Sequence, residues 1–271
     1  MYHKSWFNFL HQIDAAKQEL DFKTNEEIFY RGHTNDQHQL LPGLYRQMPS
    51  GTKEKRVWKK RVWDNESDMF YEFRARAKEV HNGNLNDWDI LFYMQHHGVK
   101  TRLLDWTESL GVALYFSLLN YDKDKCTPTI WIMNPYKLNE AYHKSRDMYA
   151  PENLDIIDSS HQVSSYSDYL LYTNPEDMIW WKQPLALYPI RRVDRLTTQG
   201  GYFTIQGTDI RPLEEIVPAT KKIWKKIEIP VEAIPSAFNF LEQAGINHYI
   251  MFPDLDGLSK FLNRKYFGSP V

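Results

Sequence analysis

Residues 95–117 read QHHGVKTRLLDWTESLGVALYFS, and the changes of pattern within this stretch decide the fold class. A helical pattern beginning at Asp87 ends at Gly98, a residue able to take the left-handed conformation after a last turn. Val99 to Trp106 then reads as extended. Thr107 caps a second helix that runs to Leu119 and carries Leu110, Ala113, Leu114 and Leu118 on its apolar side. Thr101, Arg102 and Asp105 therefore lie on an extended piece just ahead of a helix N-terminus. Free backbone N–H groups and the helix dipole make such a place suitable for an anion.

Working outward toward the N-terminus, Ile28-Phe29-Tyr30 is a short run of bulky residues that predicts a buried strand. It ends abruptly in Arg31-Gly32-His33. Before it, Trp6, Phe9, Leu10, Ile13 and Leu20 recur at helical spacing after Ser5, predicting a capped helix over 5–20. Between the two blocks, Met69, Phe70, Phe73, Ala77 and Val80 form one apolar stripe, an amphipathic helix over 64–80. Toward the C-terminus, strands are expected at 129–133, 185–190, 201–206 and 223–229. A helix follows from Ser236 to Ala244, stopped by Gly245. His248 to Phe252 reads as extended, and the turn Pro253-Asp254 leads into a final helix with Leu258, Phe261 and Leu262. Helices and strands mix without strict βαβ alternation, so the expectation is an α+β fold built as one domain over 1–271. Residues 147–180 are the longest stretch without clear periodicity and suit an active-site or partner-binding excursion.

Composition narrows the function classes. The 271 residues are 42% hydrophobic and 25% charged, with a net charge of −2, so the chain has a core and no global basic field that recruits nucleic acid. The balance conceals local bias: KEKRVWKKR at 53–61 holds six basic side chains, while 147–180 has seven carboxylates and no Lys or Arg. A basic run is a solvated helix face or a phosphate-tracking patch on which Trp58 and Trp63 stack bases. The single cysteine, Cys126, excludes internal disulfides and multi-thiolate zinc sites. His96 and His97 are adjacent and point about 100° apart on a helix, so no metal site is expected from them. The start lacks a signal-peptide pattern and no run is long enough to span a membrane, which points to a cytoplasmic protein. GxxxxGK[ST], GxGxxG, HExxH and GxSxG are all absent.

Three segments gather polar groups at expected strand ends. Arg31 beside Gly32 is placed for a bidentate grip on phosphate or carboxylate, or for a structural ion pair with Asp105 or Asp254. Arg102 and Asp105 either serve a ligand or pair with each other. Arg191, Arg192 and Arg195 precede Thr198-Gln199-Gly200-Gly201-Tyr202-Phe203, whose double glycine permits close backbone approach. Together, Tyr30-Arg31-Gly32, the 95–117 block, Arg195…Gln199-x-Gly201-x-Phe203 and FPDLDGL at 252–258 resemble the FRG-domain family across about residues 26–262. Lys100 stands where that family's block usually has proline.

That resemblance implies a fold and an activity. The motif order is similar to that of ADP-ribosyltransferases, implying a mixed, split sheet flanked by helices. NAD is then the substrate, with Arg31 holding its diphosphate and ribose. Thr101 and its neighbours support the nicotinamide pocket, and Tyr30, Trp106 or Tyr115 stack on the ring. Gly32 and Arg102 complete the implied cofactor-binding set, and Arg31, Asp105 and Gln199 the catalytic one. Gln199 stands where the family's acidic residue aligns. Either it only positions the ribose, or Asp105, Asp254 or Asp256 supplies the charge, or transfer activity is lost. The resemblance further implies a toxin-like role in bacterial anti-phage defence, an RNA acceptor ahead of a protein one, and a cognate antitoxin. Two other readings compete: a nucleic-acid processing enzyme with Asp105, Asp254 and Asp256 as Mg²⁺ ligands, and a non-catalytic module in which Arg31 and Arg102 recognise phosphate.

Overall fold

Strand β3 (Thr129–Met133) is buried at every residue, with Ile130 and Ile132 on one side and Trp131 and Met133 on the other. Such a strand needs cover on both faces, and the architecture supplies it. The computed structural model describes residues 2–47, 49, 52–77, 85–122, 126–151, 166, 183–188 and 201–268, with the backbone alone at 52–57, 59 and 60. The other strands are β1 (Phe29–His33), β2 (Leu103–Thr107), β4 (Leu185–Leu187), β5 (Gly201–Ile205) and β6 (Trp224–Glu228). All six form one sheet in the order β4-β5-β2-β1-β3-β6, and every ladder between them is antiparallel. The α+β class stands. The expected mixed sheet does not: the one parallel pairing among the described residues is the isolated bridge Tyr149–Leu187.

On one face, α1 (Lys4–Glu19), α4 (Leu110–Leu118) and α7 (Ile234–Gln243) pack on Tyr30, Ile130 and Ile132 through Trp6, Phe9, Ile13, Leu114 and Ala237. Beside them α2 (Thr52–Arg76) and α3 (Asp87–His96) cover the β2-β5-β4 half, where Phe92 stacks on Phe203 at 4.9 Å between ring centres. On the opposite face Phe29, Trp106, Trp131 and Tyr202 pack against Leu138 of α5 (Pro135–His143) and Leu213 of α6 (Leu213–Ile216).

Several expected boundaries move, each for a local reason. The α1 cap is His3, whose Nδ1 accepts from the Ser5 N–H at 3.2 Å, not Ser5 itself. α3 does begin at Asp87, and its cap is the preceding Asn86, in a capping box with Asp89. Ser109 rather than Thr107 caps α4, because Thr107 still belongs to β2 and its hydroxyl instead accepts the Ser109 N–H. The helix expected over 64–80 is, as far as Arg76, the C-terminal part of α2, which also takes in the basic run; residues 78–80 lie outside the described residues. His248–Met251 is a helical turn, α8, instead of extended chain: the Asn247 side chain accepts from the N–H groups of Tyr249 and Ile250. Asp254 caps α9 (Leu255–Phe267) by accepting from Gly257 N at 2.6 Å.

One joint in the sheet is narrow. β1 pairs with β3 over all five of its residues, and β2 pairs likewise with β5. Between β1 and β2 the register holds one pair, Tyr30 with Thr107. Beyond it the two strands part, and the cleft opens there.

Candidate functional site

The cleft is a cavity of about 1010 Å³ walled by β1, β2, the end of α3, the start of α4 and the loop after β1. Arg31 sits at the parting of the strands. Its guanidinium Nη1 donates to the Asp105 carbonyl at 2.5 Å and lies 3.8 Å from Asp105 Oδ2. The arginine side chain is 15% exposed and that of Asp105 55%, so a shielded cation faces an open carboxylate. Burial pulls the Arg31 guanidinium down to about 10; Asp105 opposes that pull and the charge of Arg46 adds to it. It remains protonated at neutral pH.

A chain of hydrogen bonds fixes both groups. Leu103 N donates to Thr101 Oγ1 at 3.1 Å, and Thr101 Oγ1 donates to Gln95 Oε1 at 2.5 Å. Gln95 Nε2 donates to Asp105 Oδ2 at 2.8 Å, which orients the amide and leaves Oδ1 without a partner among the described residues. On the other side Arg31 Nε donates to His33 Nε2 at 3.0 Å. Arginine only donates, so Nε2 is the acceptor and the imidazole proton is on Nδ1, which donates to the His38 carbonyl at 3.2 Å. The 3.2 Å approach of Trp131 Nε1 to that same Nδ1 is then a packing contact.

Burial, followed by the charge of Arg31, lowers His33 to about 3. Between that value and the ordinary 6.5 the unfolded chain binds a proton that the fold excludes, so this group's contribution to stability rises with pH through the window. It is fully present above about 6.5 and is lost as the pH falls toward 3, a difference of about 3–5 kcal/mol across the whole interval. His33→Gln is expected to flatten that acid slope. Thermal unfolding of both proteins at pH 7 and pH 4.5 measures the difference, and identical slopes would remove the assignment.

Residues 26–126 match the family model for the FRG domain. Over that segment the chain is similar to the FRG domain. No curated protein and no solved structure matches it. The matched segment supplies Arg31, His33, Arg46, Gln95, Thr101, Asp105 and the α4 wall, hence nearly the whole lining of the cleft.

Of the residues singled out in the sequence, Arg31, Thr101 and Asp105 meet at the cleft. Tyr30 and Gly32 also border it, but their roles differ from those expected. The Tyr30 ring is packed in the core with its hydroxyl toward Lys17 on α1, so it presents no stacking face. The space beside Gly32 belongs to α4, as a Cβ there would lie 1.9 Å from the Ala113 carbonyl oxygen. Trp106 is a correction: it borders the cavity, but it is only 2% exposed, with its indole packed on Phe29 and donating to Thr204 Oγ1 at 3.1 Å, so the ring is not free to stack. Tyr115 is another, buried in the α1-α4-α7 core with its hydroxyl 2.6 Å from His248 Nδ1. Gln199, with the arginines at 191, 192 and 195, lies outside the described residues.

Arg102 is the third correction. Neither a ligand contact nor a partner of Asp105, it is 2% exposed and forms a bidentate pair with Glu66, which also accepts from Tyr166. This pair pins α2 to β2. Glu66→Gln keeps the shape but leaves a buried guanidinium uncompensated, so a loss of about 3 kcal/mol is expected in urea unfolding. A change below about 0.5 kcal/mol would contradict it.

The three aspartates proposed as metal ligands do not converge, and no group of three His, Cys, Asp or Glu side chains suited to a metal occurs among the described residues. Trp58 and Trp63 pack partly against Leu41, Leu44 and Tyr45. No helix among the described residues is long and apolar enough to cross a membrane. Sequence reasoning missed Gln95, His33 and Arg46. The first two were available: Gln95 opens the 95–117 block, and His33 lies two residues along the strand from Arg31, hence on the same face.

Proposed function

We propose that the cleft binds NAD and that the protein is an ADP-ribosyltransferase, moving ADP-ribose onto a macromolecular acceptor. One observation carries the reading: Arg31 and Asp105 face each other at the mouth of a single large cavity, from the two strands that part there. Breaking the nicotinamide–ribose bond sends the bond's electron pair out with nicotinamide and leaves an oxocarbenium-like ribose. Arg31 suits the diphosphate, and Asp105, with Oδ1 free of a partner among the described residues, suits the developing positive charge. Asp105 thus takes the part that Gln199, being neutral, cannot. The acceptor then attacks the ribose carbon and gives up its proton. The half-buried Phe116 on the cavity wall replaces Trp106 and Tyr115 as the aromatic surface available to a base.

RNA is the first acceptor to test, on the strength of the basic run at 53–61, with protein second. A free NAD-consuming enzyme needs restraint, so a toxin-like defence role in the cytoplasm with a cognate antitoxin belongs to the same reading. The decisive assay incubates the protein and Arg31→Ala with adenine-labelled NAD and either RNA or cell lysate. Nicotinamide release and label transfer by wild type, abolished in the variant, are expected. Absence of both from wild type rejects the transferase, and saturable NAD binding without turnover would mark a binding module instead.

A further inference from the structure

Arg46 belongs to none of the motifs, yet it faces the cleft. It follows the tight turn Gly43–Tyr45, and its Nε donates to the Leu41 carbonyl at 3.0 Å, which sets the plane of its guanidinium. Its two terminal nitrogens have no hydrogen-bond partner among the described residues, and no carboxylate there pairs with it. Arg31 is similarly incomplete. Nε and Nη1 are engaged, while Nη2 has no partner among the described residues.

The charges are also unbalanced. Arg31, Arg46 and Lys100 line the cavity against one carboxylate, Asp105, which Gln95 already holds. Lys100 adds a cation where the resembled block carries proline. The field of Arg46 reaches Arg31 strongly enough to help depress it. Arg31 is shielded and Arg46 exposed; two like charges so placed on one cavity repel, and a ligand with more than one negative charge relieves that repulsion. Guanidinium forks match phosphate oxygens two at a time, which ammonium groups cannot do.

We infer that Arg46 is a specificity-determining residue which, together with Arg31, grips a diphosphate, so that the cleft selects diphosphate esters over monophosphates. This deepens the NAD reading and rests on it for the identity of the substrate, while the charge arrangement stands without turnover. His33 is the positioning residue of the pair, accepting from Arg31 Nε and so fixing the Arg31 fork within the cavity.

The test is calorimetric titration with ADP, inorganic pyrophosphate and AMP at fixed salt. Wild type is expected to bind ADP and pyrophosphate at least about tenfold tighter than AMP. Arg46→Gln is expected to lose about tenfold or more for both diphosphates and less than about threefold for AMP. Arg46→Lys keeps charge and stem but not the fork, and should fall between them; it carries the test if Arg46→Gln melts early. Equal ADP affinity in wild type and Arg46→Gln, or no ADP binding by wild type, overturns the inference. If diphosphate selectivity depends on Arg46 but NAD is not consumed, the transferase reading fails and this one stands. If NAD is consumed with unchanged kcat/KM in Arg46→Gln, the reverse holds.

Discussion

Gly32→Ala will cost the protein at least about 4 kcal/mol, enough to strip much of the stability of an ordinary domain. The added methyl would sit 1.9 Å from the Ala113 carbonyl oxygen and 2.7 Å from Ser117 N. Both are backbone atoms of α4, so no side-chain rotation makes room. The helix must lift from β1 as a body, breaking the contacts that Leu114 and Leu118 make in the core. The cause is steric and not conformational, since Gly32 is absent from the positive-φ glycines. At a residue with an ordinary backbone and free space, alanine would stabilise by about 0.4–1 kcal/mol through the unfolded chain, so the sign itself distinguishes the two accounts. Circular-dichroism melting with soluble yield measures the loss. A melting point within a degree or two of wild type would mean that α4 does not seat on Gly32. Because Val112 and Ala113 also wall the cavity, ligand binding should fall together with stability.

Asp105→Asn will lower kcat for NAD consumption about 10²- to 10³-fold, with little change in KM. The asparagine keeps the shape and can still accept from Gln95 Nε2, so the network from Thr101 to the strand survives. Only the negative charge is lost, and it is wanted most when the ribose is cationic. The side chain is more than half exposed, so stability should hardly change. A split in which kcat falls and binding persists separates this from structural damage. A kcat within about threefold of wild type would remove Asp105 from the chemistry, and a collapse in Gln199→Ala instead would relocate the catalytic role.

The elements of the fold were legible where periodicity was strong. α1, α4, β3 and α9 follow from apolar spacing, and the glycines at 98 and 245 do end their helices with positive φ. The caps were less legible, because Ser5 and Thr107 each lie two residues from another side chain able to accept from a backbone N–H, His3 and Ser109. The site was half legible. Arg31 and Asp105 lie in distinctive blocks, but side-chain direction is set by strand register, which one chain in isolation does not reveal. That is why Trp106 was expected to offer its ring to the cleft, while its indole is buried against Phe29 and its neighbour Asp105 presents the exposed side chain. Arg102 misled for the same reason. Its partner Glu66 is distant in sequence on a helix whose apolar stripe gave no sign of a buried acid. Arg46 lies in a turn-rich segment with no period, so nothing but its final position marks it.

The joint at Tyr30 and Thr107 has a mechanical meaning. With one residue pair between β1 and β2, the sheet is two three-stranded plates meeting at a corner, Arg31 on one plate and Asp105 on the other. A molecule held by both residues clasps the plates together, so occupancy of the cleft and rigidity of the sheet become one property.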